Sequence, residues 1–436
     1  MTHLVIKYQQ FNHIMKGKFC IVIVAAGMLA ACTENGGPAI ESQEGEQIIR
    51  LKVSSAGDGL STRAGRDLFS EEATQAIENV KLVIVNDNNE IVSQTTVGRW
   101  SDVATDFTTN GRGKETTIML QGSDKVLAEG TYKILAYGYS TLTDYQELPD
   151  QIGQTEKGEI FESNQILTFA GGSGKLAEEI FAGEGTLTVD AEKSATGNVT
   201  LHRQVAGTFG YFKNIPYEEG ADKLVLKTSA NINTKIVLGN FISSELSGNG
   251  ANTSFNVVNG TGANASDVIY TINLSDWFGE IKKSEGKNVI DASSWNNPYA
   301  EADVNFEEGS VFGGTFLIPF AGVSDKNSFV LELQDAENKV LRTWNIKLSP
   351  DDSQVGSHIL STWDADEGKF IESTVTETVS SYSVLRNHLY SVGSRGSKNP
   401  TTPGTGTDIP QDLNRDQTLT LQVNDNWEVI HKMELD

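Results

Sequence analysis

Phe329-Val330-Leu331-Glu332-Leu333 and Val340-Leu341-Arg342-Thr343-Trp344 flank a turn over Asp335 to Asn338. Two short β-branched and aromatic runs on either side of a polar turn spell a hairpin. The same pattern recurs along the chain. Val80-Lys81-Leu82-Val83-Ile84-Val85 and Glu90-Ile91-Val92 flank Asn86-Asp87-Asn88-Asn89, whose residues favour turns and left-handed backbone. Further strand-like runs lie at 117–120, 131–137, 185–189, 199–203, 223–227, 235–238 and 268–272. Helical periodicity is nearly absent; one short helix is expected after Ser70, through Glu71, Glu72, Ala73, Ala76 and Ile77, with its acids near the positive end. A chain with 42 glycines against 9 prolines, many short strands and almost no helix predicts an all-β protein built of β-sandwiches.

Length sets the domain count. The chain has 436 residues, more than one hydrophobic core usually holds, so two domains are expected. The polar, turn-rich stretch 190–198 places the boundary near 195, giving an N-terminal domain over 46–195 and a C-terminal domain over 196–392. Residues 393–416, with Pro400, Pro403 and Pro410 among Gly, Thr and Ser, read as a linker that packs no core. Strand pattern then returns in a C-terminal segment, 417–436. Leu419, Leu421 and Val423 alternate with Thr418, Thr420 and Gln422, and Trp427, Val429, His431, Met433 and Leu435 share one face.

The N-terminus supplies an address. Lys16 and Lys18 precede an apolar run from Phe19 that ends in Leu29-Ala30-Ala31-Cys32. The run is shorter than the ~18–20 apolar residues of a membrane span, and its charged start and small-residue end make residues 1–31 a secretory signal. Met15 offers an alternative start to Met1. The cysteine directly after Leu-Ala-Ala resembles the bacterial lipobox, which implies diacylation at Cys32 and cleavage before it; an ordinary signal with a chance cysteine is the alternative. Residues 32–45 read as a tether. Cys20 leaves with the signal, so the folded part has no disulfide framework, thiolate metal site or cysteine nucleophile. The signal also removes Lys7, Lys16 and Lys18 and no acid, taking the formal net charge from −24 to −27. Such an acidic surface argues against nucleic acid and anionic lipid as electrostatic partners.

No constellation nominates an active site, and neither a cofactor nor a metal is expected. Phe169-Ala170-Gly171-Gly172-Ser173-Gly174-Lys175 lacks the first glycine and the final hydroxyl of a phosphate loop. Asp364-Ala365-Asp366-Glu367-Gly368 has its glycine one place too early for a calcium loop and reads as an acidic turn. The six histidines are scattered; His388 and His431 sit within strand patterns and are expected to pack. The protein is read as a non-enzyme.

Near the tether, Ile49, Leu51 and Val53 alternate with Arg50, Lys52 and Ser54, a half-buried strand over about 47–55. A loop holding Ser61-Thr62-Arg63-Ala64-Gly65-Arg66 comes next. The lipobox, this strand and loop, Leu201-His202-Arg203-Gln204-Val205-Ala206 opening the second domain, and Arg386-Asn387-His388-Leu389-Tyr390 before the tail together resemble the fimbrillins, the type V pilin family of Bacteroidales-type bacteria. The resemblance covers nearly the whole chain. It implies two tandem transthyretin-like sandwiches with Greek-key-type sheets, an outer-membrane surface location, and anchorage to membrane lipid through Cys32. It further implies cleavage by an Arg-specific surface protease after Arg63, with Ala64 the new N-terminus and Arg66 the alternative site. The first strand, carrying Ile49, Leu51 and Val53, is then lost. A neighbouring pilin subunit refills the groove with its C-terminal segment, the donor residues being Leu419, Leu421, Val423, Trp427, Val429, Met433 and Leu435. The product is a head-to-tail fimbria. Three alternatives stay open: the tail folds back on its own domain, the subunit is an uncut anchor or a tip adhesin, or the chain is a lipid-anchored glycan-binding protein with exposed tryptophans.

Overall fold

Runs of alternating or continuous apolar residues, closed by Asn, Asp and Gly turns, become strands nearly throughout the computed structural model. It describes residues 46–424 apart from 55–67, 71–76, 108–112, 122–125, 141–142, 149–151, 154, 172–174, 229–231, 240–256, 259–260, 264–266, 321–328, 349–356, 365, 377, 379 and 416–417. The all-β class expected from the sequence is observed. The first half holds β1 (Gln47–Ser54), β2 (Asn79–Val85), β3 (Ile91–Gly98), β4 (Thr105–Phe107), β5 (Gly113–Met119), β6 (Gly130–Tyr139), β7 (Gln165–Thr168), β8 (Phe181–Val189) and β9 (Ala195–Arg203). The second holds β10 (Ala206–Lys213), β11 (Lys223–Thr228), β12 (Asn233–Leu238), β13 (Val257–Val258), β14 (Thr261–Ala263), β15 (Val268–Asn273), β16 (Val311–Leu317), β17 (Phe329–Gln334) and β18 (Val340–Leu348). It continues through β19 (Ser357–Asp364), β20 (Lys369–Thr376), β21 (Leu389–Val392), β22 (Ser394–Arg395), β23 (Asp408–Ile409), β24 (Gln411–Asp412) and β25 (Thr418–Asn424). The α-helix among the described residues is a single turn, Trp100–Val103, entered from Arg99 in the left-handed region. The helix expected after Ser70 falls mostly outside the described residues.

The first large sheet runs β3-β2-β6-β8-β9-β1-β5-β4. It folds over on itself between β8 and β9. These two share only the rungs Phe181↔Arg203 and Ala182↔His202, and beyond them the carbonyl oxygens of Thr200 and Asn198 lie 2.0 and 2.4 Å from where a Cβ on Gly183 or Gly185 would stand. Only glycine permits that approach. The result is a sandwich of β3-β2-β6-β8 on β9-β1-β5-β4, with Ile49, Leu51, Leu82, Ile84, Ile134, Leu187 and Val199 buried between the layers.

The second large sheet runs β15-β11-β17-β18-β25-β21-β10-β16. Here β25 is the seam: Thr418–Leu421 pairs parallel with β18, and Gln422–Asn424 pairs antiparallel with β21. The chain passes from one sandwich to the other between Arg203 and Ala206, and a continuous apolar cluster joins them, containing Val83, Tyr137 and Phe161 from the first half and Phe209, Leu331 and Trp344 from the second. This explains why Val80–Val85 is apolar without alternation. Strand β2 is covered on both faces, as fully buried strands require. Lys81, within it, is 5% exposed, and burial pushes its ammonium pKa down. Strand β10, Ala206-Gly207-Thr208-Phe209-Gly210-Tyr211-Phe212-Lys213, carries no strand alternation in sequence because it too is buried along nearly its whole length. Among the described residues no helix is long and apolar enough to cross a membrane.

The core is rich in buried tyrosines. Burial raises the phenol pKa of Tyr137, Tyr145 and Tyr270, and burial, reinforced by the Asp408 charge, raises Tyr211 to about 12. Unfolded tyrosine titrates near ~10. Their contribution is therefore fully present below that value and is lost as pH rises through the folded values. Urea unfolding midpoints are expected to be flat from pH 7 to 9 and to fall steadily above about pH 10. A midpoint unchanged at pH 11 contradicts this.

Candidate functional site

The site grows from β1. Every second residue of an extended strand faces the same way, and in β1 that face carries Gln47, Ile49 and Leu51, each with no exposed surface. Both backbone edges are paired. On one side β1 runs parallel to β9, from Gln47↔Ala195 to Val53↔Leu201; on the other it runs antiparallel to β5, from Ile48↔Met119 to Ser54↔Gly113. Ile49 lies over Gly197, where a Cβ would come within 2.8 Å of Ile134 and 3.1 Å of Leu187, so the floor beneath Ile49 is shaped by a missing side chain. On the outer face, Lys52 Nζ lies 3.6 Å from Glu115, a partly exposed pair of little energetic weight. The side chain of Val53 is outside the described residues.

Gln47 closes one end of this slot. Its Nε2 donates to the carbonyls of Leu127 (2.8 Å) and Lys193 (3.2 Å), and its Oε1 accepts from the Leu127 amide at 2.8 Å. The Leu127 N–H fixes which end of the carboxamide is oxygen. Sequence reasoning passes over this residue. A lone glutamine carries no motif, and its partners lie 80 and 146 positions away.

Residues 55–67 connect β1 to the rest of the fold. They hold Arg63, Ala64 and Arg66 and lie outside the described residues. Directly after them the chain is firmly held. Leu68 is buried, and the Phe69 ring packs on Tyr299 and Phe312, with centroids 4.9 and 6.2 Å away. The Phe69 carbonyl accepts from Arg395 Nε at 2.7 Å. The two ends of the connection are thus fixed to different sandwiches.

Arg395 belongs to the stretch read from sequence as a linker, and here the structure differs. Segment 393–416 carries β22, β23 and β24 and is built into the second sandwich. Arg395 and Asp408 are both buried and 3.0 Å apart. The guanidinium also donates to the carbonyls of Asn305 (2.6 Å) and Lys398 (2.8 Å) and lies 3.9 Å from the Phe306 ring centroid. Asp408 accepts from Tyr211 Oη at 3.2 Å and from Gly404 N at 2.8 Å. One fully hydrogen-bonded ion pair thus holds a Pro/Gly/Thr segment that has few apolar side chains of its own. Leu413 is buried beyond it, its carbonyl accepting from Trp344 Nε1 at 3.2 Å.

The tail begins inside its own sheet. Leu419 is fully buried within the β25 seam; the side chains of Leu421 and Val423, and all of Trp427, Val429, His431, Met433 and Leu435, fall outside the described residues, as does Cys32. The two stretches around Arg203 and Arg386 meet. Arg203 Nε donates to Glu179 at 2.9 Å with both side chains buried, Arg203 Nη1 reaches Asn387 Oδ1 at 3.4 Å, and Arg386 Nη1 donates to Gln204 Oε1 at 3.0 Å. His388 is 7% exposed, with Nδ1 2.8 Å from the Arg386 carbonyl.

The described tryptophans form no surface platform. Trp100, Trp277 and Trp344 are buried, and Trp295 packs 6.5 Å from Trp277 while donating to the Ser310 carbonyl. Phe169 stacks edge-on against Tyr145 at 5.3 Å, and Lys175 lies 4.0 Å from Glu178; Gly172, Ser173 and Gly174 between them lie outside the described residues. Asp364 accepts from the amides of Asp366 and Glu367, which makes its segment a self-capped turn. Among the described residues no three His, Cys, Asp or Glu side chains are grouped to hold a metal ion.

No family model matches the chain, and no curated protein matches it. Solved structures similar to it include the fimbrial anchor protein Mfa2 from Porphyromonas gingivalis, at 9% identity and TM-score 0.33, covering 77% of this chain and 100% of that one. The tip fimbrial protein Mfa3 from the same organism aligns at 9% identity and TM-score 0.33 over 87% and 98% of the two chains. A fimbrial assembly protein from Parabacteroides distasonis aligns at 11% and 0.32 over 76% and 96%. At such identities and scores the functional reading rests on this chain's own residues.

Arg395→Met strands Asp408 among groups arranged around a cation, and is expected to cost about 3–5 kcal/mol in urea unfolding. Adding Asp408→Asn should recover part of the loss. A single variant within about 1 kcal/mol of the parent contradicts the role given to this pair.

Proposed function

We propose that this chain is a structural subunit of a cell-surface fimbria that assembles by exchange of strands between copies. One observation carries the reading: β1 is an interior strand, paired on both edges, whose covalent link to the rest of the fold runs through the Arg63-bearing segment 55–67. A cut after Arg63, or after Arg66, severs β1 while Leu68 and Phe69 stay locked in the second sandwich. Loss of β1 strips cover worth about 2–3 kcal/mol from each of the Ile49 and Leu51 sites, and leaves facing edges of β9 and β5 unpaired. Open edges over an apolar floor take an extended strand from another chain. Because giver and receiver are different surfaces, the contact does not close on itself and propagates as a filament.

In this reading the precursor is exported, acylated at Cys32 and held at the outer membrane until an Arg-specific surface protease acts. The acidic chain suits a soluble, exposed surface and no nucleic-acid role. The C-terminal segment is the giver. Its first part already fills a place in its own sheet, so donation requires β25 to leave the seam between β18 and β21. That same placement favours a second reading, a terminal subunit, anchor or tip, that receives or retains a strand without donating one. The buried tryptophans weigh against a glycan-binding platform.

The test is recovery of the protein from the cell surface with and without an Arg-specific protease. A new N-terminus at Ala64 or Asp67 together with heat-sensitive high-mass ladders is expected of a polymerising subunit. Protein that begins at acylated Cys32, uncut at Arg63 and Arg66 and without a ladder under both conditions, overturns strand exchange and leaves an anchor or a glycan binder.

A further inference from the structure

Gln47 is the polar member of the inward face of β1, and it is bound like a missing piece of backbone. Its carboxamide pairs both ways with Leu127, as two strand residues would, and its second N–H reaches Lys193 in the β8–β9 turn. Removing β1 leaves one donor and two acceptors converging at the end of an apolar slot. An incoming strand satisfies all three only if its side chain there carries a donor and an acceptor together, which is the primary amide of Gln or Asn. A carboxylate has no hydrogen for the two carbonyls, and an apolar residue answers none of the three.

The chain contains a second strand with this pattern. Gln47-Ile48-Ile49-Arg50-Leu51-Lys52-Val53 is matched at every alternate position by Gln417-Thr418-Leu419-Thr420-Leu421-Gln422-Val423. Gln417 lies just outside the described residues; Leu419 of β25 is buried. We propose that the β1 slot selects its occupant through the Leu127–Lys193 end, and that this occupant is Gln417–Val423 of a second copy, with Gln417 replacing Gln47. The proposal rests on the strand-exchange reading and adds its register. In the direction of β1, parallel to β9, Leu419 then faces Gly197 in place of Ile49, Leu421 takes the place of Leu51 beside Val199, and Val423 that of Val53 beside Leu201. Leucine for isoleucine keeps the volume that the Gly197 floor accommodates. The later strand, Asp425-Asn426-Trp427-Glu428-Val429, fits less well. It would set a carboxylate against the Leu127 and Lys193 carbonyls and an indole on the glycine floor.

The experiment uses the full chain cleaved by an Arg-specific protease, with fluorescent peptides as probes. Peptide 46–54 reports whether the slot is open; 416–424, its Gln417→Leu and Gln417→Glu variants, and 425–435 report what it selects. The expected result is saturable binding of 46–54 and 416–424, with both Gln417 variants weaker by about 10- to 100-fold and 425–435 weaker than 416–424. Equal binding of 416–424 and its Gln417→Leu variant overturns selection by the amide while leaving exchange intact. Tighter binding of 425–435 overturns the register alone. Failure of every peptide, 46–54 included, overturns the strand-exchange reading and this proposal with it.

Discussion

The first sandwich depends on the burial of one strand that is peripheral in sequence and central in space. Strand β1 lies near the start of the folded chain, yet it joins β9 to β5 and supplies part of the floor of the apolar layer between the two halves of the sheet. Parallel pairing with β9 needs a long excursion of chain between the partners, and here almost the entire first domain intervenes. The fold therefore waits on a contact of very long range. Two ladders, the burial of Ile49 and Leu51 and the Gln47 contacts hold the strand in the sheet, while the connection 55–67 joins it to the chain that follows.

Two buried ion pairs set the rest. Arg203–Glu179 sits where the chain passes between sandwiches and ties that passage to Asn387, close to the start of β21. Arg395–Asp408 does the same for the chain after 55–67 and for the Pro/Gly/Thr segment before β25. Buried pairs cost desolvation and repay it only when the remaining hydrogen-bonding capacity is filled. Around Arg395–Asp408, carbonyls, a phenol, an amide and an aromatic face fill it; Arg203 adds Asn387 Oδ1 and the Phe181 face. Their consequence is geometric: Phe69, beyond the 55–67 connection, and the stretch from Arg395 to Asp408, ahead of β25, are both held to the second sandwich.

Much of the fold is legible in residue order. The hairpin Phe329–Trp344 pairs as its pattern indicates, and the 80–85 and 91–92 runs flank the turn that Asn86 to Asn89 announce. Strand β1 is where the Ile49 and Leu51 alternation puts it. Segment 393–416 escapes such a reading because its order comes from Arg395 and Asp408, residues whose partners lie up to 326 positions away, and not from apolar periodicity. Strand β10 escapes it because burial on both faces erases alternation.

The sequence by itself determined the all-β class and the turns, since each is local or compositional. Only the tertiary structure decided that β1 is interior, that β25 is a seam, and that Gln47 meets Leu127. Strand order, and the partner of a buried amide, depend on contacts between residues far apart in the chain, and periodicity records which face is buried but never against what.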